Sequence, residues 1–257
     1  MCYDIKASLE SQLKRAKRNN DLAAILEIEQ KLAPYTDLPA HHKSGFAHPK
    51  LLIYTAAEPF KPIIAHWGLI PRWVKDSELK NKLWNSTINA RGETLADKPS
   101  FRDAYKSKRC LVYLDGFYEH HHQDGETYPF YIYQNDESPL CVAGLWSEWT
   151  DRDSGEVWTT FSLVTTKANS MMAKIHNNPK AKEARMPVLL SESEAELWLH
   201  ADPNQPEQKE ALAALIRPWT GSDLAAHPVA KLRGKNYPGN IPEITEKVHY
   251  DELKLTL

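Results

Sequence analysis

The chain has 257 residues, of which 42% are hydrophobic, and a formal net charge of −2. That length can bury one substantial core and suits a single domain. No run of about 20 apolar residues exists to span a bilayer as a helix, and the near-neutral balance argues against a general polyanion binder while permitting a local nucleic-acid groove. Met1-Cys2-Tyr3-Asp4 leading into a charged helix-like segment is no secretory signal, and three cysteines without a CxxC pair make no disulfide framework, so a cytoplasmic, reducing setting is expected.

Cys2 is the first residue with chemistry. Removal of Met1, usual when the next side chain is small, would leave a thiol and a free α-amine on adjacent carbons. Such a 1,2-aminothiol condenses with an aldehyde to an imine, and the sulfur then closes a five-membered thiazolidine ring. In free peptides the amine titrates near roughly 8 and the thiol near roughly 8.5, so each keeps a nucleophilic fraction at neutral pH. A chance cysteine at this position is the competing reading. Cys110 and Cys141 lie in apolar strand-like runs and read as core thiols.

Residues 6 to 33 carry apolar positions at Leu9, Leu13, Leu22, Ile25, Leu26, Ile28 and Leu32, interrupted at Asn19-Asn20-Asp21. The spacing predicts two helices joined by a short turn and ended by Pro34. Lys14, Arg15, Lys17 and Arg18 form a basic cluster there, either a solvated face or a phosphate contact.

From Leu51 the pattern changes to short β-rich runs: Leu51 to Thr55, Pro62 to Trp67, Arg109 to Leu114, Tyr128 to Gln134, Leu140 to Leu145 and Trp158 to Thr165. Many strands of this length suggest a curved or barrel-like sheet, and the irregular mixing with helices disfavours a doubly wound parallel one. Helices are expected at Ser191 to Leu199, with Ser193 and Glu196 near its start, and at Glu207 to Ile216. After Ala225 the chain reads as loop.

Several segments could carry chemistry. Trp67 and Trp73 flank a Gly and a Pro, as a base-stacking loop or a core lid would. Asn89, Arg91 and Glu93 would share one face of an extended stretch, where Arg91 suits a phosphate or an ion pair with Glu93. Glu119, beside aromatics at the end of a buried run, is a candidate for a raised pKa and acid-base work, and His176 for a proton relay or a structural role. His120-His121-His122 and His41-His42 match no zinc spacing, so no metal is expected.

Taken in order, Cys2, Trp67-Gly68-Leu69-Ile70-Pro71, Asn89-Ala90-Arg91-Gly92-Glu93-Thr94, Asp115-Gly116-Phe117-Tyr118-Glu119, Ala143-Gly144-Leu145-Trp146, Thr165-Thr166-Lys167-Ala168-Asn169 and His176 with Arg185-Met186-Pro187 resemble the SRAP (SOS response-associated peptidase) family of abasic-site processing proteins. The resemblance implies a single-domain α+β fold, residues 1–257, with a barrel-like, mainly antiparallel β core flanked by helices. Residues 6–38 would be a helical insertion and 225–257 a loop-rich tail. It implies covalent capture of abasic sites in single-stranded DNA, with AP-lyase activity, autoproteolysis in some members and no cofactor. By matching motif positions, Cys2 would be the nucleophile, Asn89 its orienting partner, Glu119 the acid-base catalyst and His176 an aid to ring opening and strand scission. Arg91 and Arg185 would contact phosphates and Trp67 would belong to the DNA-binding surface.

This chain departs from the family pattern at Tyr3-Asp4 in place of Gly-Arg, at His120 in place of an aromatic, in the eight residues Asn177 to Ala184 between His176 and Arg185, and in the N-terminal helical segment. Two other classes remain: an N-terminal-cysteine amidohydrolase or amidotransferase, which usually continues Gly-Ile, and a noncatalytic nucleic-acid-binding module. Nothing in the sequence demands more than a monomer, and no membrane partner is implied.

Overall fold

The computed structural model describes residues 2–255 and 257. Short runs rich in β-branched and aromatic residues become strands. They are β1 Asp4–Ala7, β2 Ala40–Ser44, β3 Lys50–Thr55, β4 Ile63–Trp67, β5 Asn89–Arg91, β6 Arg109–Leu114, β7 Gly116–Gln123, β8 Glu126–Gln134, β9 Leu140–Thr150, β10 Val157–Lys167, β11 Arg185–Pro187 and β12 Leu224–Pro228. The helices are α1 Leu9–Arg18, α2 Leu22–Glu27, α3 Ser77–Trp84, α4 Arg102–Ser107, α5 Ser170–Ile175, α6 Glu192–His200 and α7 Pro206–Ala214.

Strand pairing runs β10-β4-β3-β6-β9 and returns from β9 to β10, which closes a five-stranded barrel and leaves no open edge among those strands. Pairing is antiparallel except where β10 meets β4 and β5. A second, antiparallel sheet has the order β12-β8-β7-β1-β2. The two sheets share one core, in which Phe117, Phe130 and Ile132 of the second meet Val112, Val142, Phe161 and Leu163 of the barrel, and Cys2 is part of it. The expected α+β architecture with a barrel-like, mainly antiparallel core is therefore present.

The N-terminal segment folds as two helices turning at Asn19-Asn20, where Asn20 takes φ of 52°, a left-handed conformation that asparagine tolerates. Helical winding continues past α2 as a π turn over Ile28–Leu32 and a 3-10 turn over Ala33–Tyr35, one residue beyond Pro34. Its basic cluster is spent on carboxylates: Arg15 reaches Glu196 at 2.6 Å, Lys17 reaches Glu10 at 2.6 Å, and Lys14 and Arg18 both pair with Glu192. The cluster docks α1 on the barrel side, where Gln12 Nε2 donates to Tyr113 O at 2.5 Å.

The capping box of α6 is Ser191 with Glu194, not Ser193 with Glu196: Glu194 accepts from the Ser191 N–H at 2.8 Å, and Glu196 is occupied by Arg15. In the tail, read from sequence as loop, β12 forms because the open edge of β8 offers pairing from Leu224↔Gln134 to Pro228↔Phe130. Leu-Ala-Ala gives little β propensity, so the edge decides the conformation. No helix among the described residues is long and apolar enough to cross a membrane.

Candidate active site

Three elements converge on Cys2. The residue immediately precedes β1, which lies between β2 and β7 with Asp4 opposite Tyr118 and Ile5 opposite Phe117, so Cys2 runs out toward the Glu119 end of β7. From the barrel side β5 places Asn89 opposite Leu163 of β10. Asn89 Nδ2 donates to the Cys2 carbonyl at 2.7 Å, and both residues are buried. The Cys2 thiol packs in the shared core with Sγ 3.9 Å from the Asp4 carbonyl.

Burial pushes the Cys2 thiol well above its ordinary range, and the charge of Glu119 pushes it further. Burial likewise raises the Glu119 carboxyl to about 7. A thiol reluctant to ionise thus stands near a carboxyl able to exchange a proton at neutral pH. His176 caps the C-terminus of α5, with its Nδ1 3.1 Å from the Arg185 carbonyl and 3.6 Å from Glu119 Oε1. Burial lowers its pKa to about 4, so the ring is neutral at pH 7, and its Nδ1 faces both the carbonyl of Arg185 at 3.1 Å and the N–H of Arg185 at 3.4 Å.

Glu119 and His176 line one cavity of about 470 Å³, together with Tyr3, Asp4, His120 and Arg233. A second cavity of about 430 Å³ is lined by Tyr3, Asn89, Arg91, Lys98 and Phe101. Tyr3 borders both, so the segment bearing Cys2 is the divide between them. Its ring lies 4.9 Å from that of Phe46, which is 48% exposed, and the Tyr3 carbonyl accepts from the Gly45 N–H at 2.7 Å.

The sequence-predicted residues therefore separate into two groups. Cys2, Asn89, Glu119 and His176 are brought together, and Arg91, its side chain 45% exposed, lines the second cavity and pairs with Glu183 at 3.6 Å. Trp67 and Arg185 are corrected. Trp67 is fully buried: its ring is stacked on Phe161, covered by Gly45 and tied by Nε1–H to the Ile88 carbonyl at 2.9 Å, so it supports the strand carrying Asn89 and offers no surface to a base.

Arg185 is 1% exposed, and its guanidinium is committed to Glu183 at 2.6 Å and Glu93 at 2.7 Å, leaving no face for a phosphate. Glu183 comes from the stretch between His176 and Arg185. That stretch is pinned to β7, because Asn177 accepts from the His122 N–H at 2.6 Å and donates to its carbonyl at 2.8 Å.

Sequence reasoning missed Phe46, Lys98, Lys231 and Arg233. Only their residue types hinted at a role, because their neighbours at the site lie far away in sequence. The loss of a cation at Asp4 is offset by Arg233, whose Nη2 lies 2.8 Å from Asp4 Oδ2. Of the histidine run, His121 is buried with Nδ1 2.9 Å from the Lys174 carbonyl. Among the described residues no group of three or more His, Cys, Asp or Glu side chains is placed to hold a metal ion.

Comparison with known proteins matches residues 2–235 to the family described as SOS response associated peptidase (SRAP). The chain is 36% identical over 182 residues to abasic site processing protein YoqW of Bacillus subtilis, covering 70% of this chain and 74% of that one. It is 33% identical over 184 residues to abasic site processing protein HMCES of Gallus gallus, spanning 64% of this chain and about half, 51%, of that longer protein. A crystal structure of a protein from Bacteroides thetaiotaomicron superposes with a TM-score of 0.80 at 32% identity, covering 96% of this chain and all of the other.

Proposed function

Because the chain belongs to the SRAP family, we propose that it processes abasic sites in single-stranded DNA by forming a covalent thiazolidine link through Cys2 once Met1, which lies outside the described residues, has been removed. The observation that carries this reading is the junction of Cys2 with Asn89 at 2.7 Å, between two cavities, one of them lined by the Glu119–His176 pair.

An abasic deoxyribose is mainly a closed hemiacetal. Glu119, held near neutrality in its pKa, gives a proton to the ring oxygen and accepts one from the C1′ hydroxyl, opening the sugar to the aldehyde. The Cys2 amine adds to C1′, Glu119 protonates the departing hydroxyl so that water leaves, and an iminium remains beside the Glu119 carboxylate. The thiol then adds to the same carbon while its proton passes to Glu119, which closes the ring without a free thiolate in bulk water. Asn89 holds the Cys2 carbonyl, and its own Oδ1 is buried without a hydrogen-bond partner among the described residues. A donor on the bound intermediate would satisfy that oxygen and recover roughly 1–3 kcal/mol of desolvation. Fixing amine, thiol and aldehyde together supplies much of the rate, up to roughly 7–11 kcal/mol in favourable intramolecular cases.

At the iminium stage neutral His176 is suited to take a C2′ proton, which expels the 3′ phosphate by β-elimination and accounts for an AP-lyase activity on the same intermediate. Arg91 and Lys98 in the second cavity suit the phosphodiester backbone, and Phe46 with Tyr3 suits stacking of a neighbouring base. Single strands are preferred because their bases can splay around such a ridge. The test is incubation of the processed protein with an oligonucleotide carrying one abasic site. A denaturation-resistant adduct is expected for the parent and none for Cys2→Ala, and an adduct that survives Cys2→Ala would overturn the proposal.

A further inference from the structure

We infer that Arg233, assisted by Lys231, is a phosphate-binding site for the DNA strand on the side of Cys2 opposite Arg91; the inference rests on the reading above and adds a substrate contact to it. Asp4 is buried, and its two oxygens are divided between His42 Nε2 at 3.1 Å and Arg233 Nη2 at 2.8 Å. The partners differ in exposure, since the Arg233 side chain is 59% exposed. A guanidinium has five N–H donors. Among the described residues its one hydrogen bond is to Asp4, so most of its donors stay available, and the planar fork matches a phosphodiester's two free oxygens.

The location is the second part of the case. Arg233 and Lys231 both line the cavity that holds Glu119 and His176, whereas Arg91 and Lys98 line the other, with Tyr3 between. A strand laid across Tyr3 with its abasic sugar at Cys2 thus meets a cation on either side. The acids on this side are Asp4, already shared by His42 and Arg233, Glu119, and Glu126, whose carboxylate lies 3.9 Å from Lys231 Nζ.

Arg233 is also held in place. The segment bearing it is anchored by Val229 N–H to the Pro129 carbonyl at 2.9 Å, by Lys231 Nζ to the Thr127 carbonyl, by Tyr237 OH to His42 Nδ1 at 2.8 Å and by Asn240 Oδ1 to the His42 N–H at 2.8 Å. Gly234, at φ of 79°, turns the chain directly after it. Asp4 therefore orients the guanidinium at the cavity wall while leaving its other donors for an anion.

The test measures noncovalent binding of abasic single-stranded DNA to Cys2→Ala protein, with and without Arg233→Gln, across a salt series. Arg233→Gln is expected to weaken binding roughly tenfold, the scale of one charge-assisted hydrogen bond, and to make the slope of log K against log salt shallower by about 0.7, the single-strand value for one phosphate. Neutralising one phosphate at a time as methylphosphonate should abolish the Arg233→Gln penalty at one position on one side of the abasic site. Arg233→Lys keeps the charge and should retain the slope. If Arg233→Gln and Arg233→Lys lower the melting temperature and the affinity equally, with the slope unchanged, Arg233 only braces Asp4 and the inference fails. It fails also if Arg233→Gln alters neither affinity nor slope while the parent still captures DNA; a parent that neither binds nor captures abasic DNA overturns the functional reading itself.

Discussion

The side-chain amide of Asn89 joins the barrel to the opening residues of the chain: Nδ2 donates to the Cys2 carbonyl at 2.7 Å, and Oδ1 is left buried without a partner among the described residues. Asn89→Ala removes the donor and frees the backbone at Cys2, the proposed nucleophile. Adduct formation under single turnover should fall by roughly 10- to 100-fold, the scale of a hydrogen bond plus lost positioning. Affinity for intact single-stranded DNA should stay within about twofold, because Asn89 carries no charge for a phosphate. Asn89→Asp replaces the donor by an acceptor opposite a carbonyl and should be at least as slow. Equal losses in rate and affinity would assign Asn89 to DNA binding instead.

Glu119 keeps its proton to about pH 7 in the folded protein because burial penalises the carboxylate, against an ordinary value of 4.5. Between these values the folded state binds more protons than the unfolded chain, so the stabilising contribution of this group is complete below pH 4.5 and is lost as pH rises through 7. The loss is at most about 3 kcal/mol. Glu119→Gln cannot ionise, so its melting temperature relative to the parent should climb from pH 5 to pH 8, while adduct formation slows far more than DNA binding weakens. A flat difference in melting temperature across that range would mean that Glu119 is already ionised at pH 5.

His176 acts in the opposite sense. Its folded pKa of about 4 lies below the ordinary 6.5, again through burial, so unfolding takes up a proton and stability falls as pH drops from 6.5 toward 4. Calorimetry of His176→Gln should therefore show less acid sensitivity than the parent over that window, and the strand-scission product should decline more than the adduct. If scission and adduct decline together, the imidazole serves ring opening rather than elimination.

What the sequence made legible follows from where each signal is stored. The strands Lys50–Thr55 and Arg109–Leu114 were evident because both of their faces are buried and they read as continuous apolar runs. Strand Gly116–Gln123, which carries Glu119, was less so, because Glu-His-His-His has no apolar alternation; its conformation comes from pairing with Glu126–Gln134. Cys2, Asn89, Glu119 and His176 were identified by ordered motifs, but their convergence depends on register between two sheets. The misreadings are long-range too. Glu93 lies 92 residues from the Arg185 it neutralises, and Asp4 lies 229 residues from the Arg233 it holds, distances over which no local pattern carries information.

The two cations once expected to share a phosphate role should now behave differently. Arg91 is half exposed beside Asn89, so Arg91→Gln should leave the melting temperature unchanged and make the salt slope of DNA binding shallower by about 0.7. Arg185→Gln removes the hydrogen-bonded cation from Glu93 and leaves Glu183 to the 3.6 Å contact with Arg91; because both carboxylates are partly exposed, stability should fall by about 1–3 kcal/mol, the scale of lost charge-assisted hydrogen bonds. Paired thermal melts and salt titrations read both effects, and a salt-slope change in Arg185→Gln with an unaltered melt would return that residue to the DNA surface.

The aromatic residues divide in the same way. Trp67→Phe keeps most of the ring but loses the hydrogen bond to Ile88, the residue before Asn89, and opens space beneath Gly45. The cost should be about 1–3 kcal/mol of stability, with slower adduct formation and DNA affinity close to the parent's. Phe46→Ala removes a ring that is already half in water, so stability should change by less than about 0.5 kcal/mol, whereas a lost stacking contact should weaken single-strand binding by roughly 1–3 kcal/mol. Fluorescence anisotropy with a labelled oligonucleotide measures the second quantity and a melt the first. Should Phe46→Ala bind as the parent does while Trp67→Phe loses affinity at unchanged stability, the DNA path does not cross the Tyr3–Phe46 ridge.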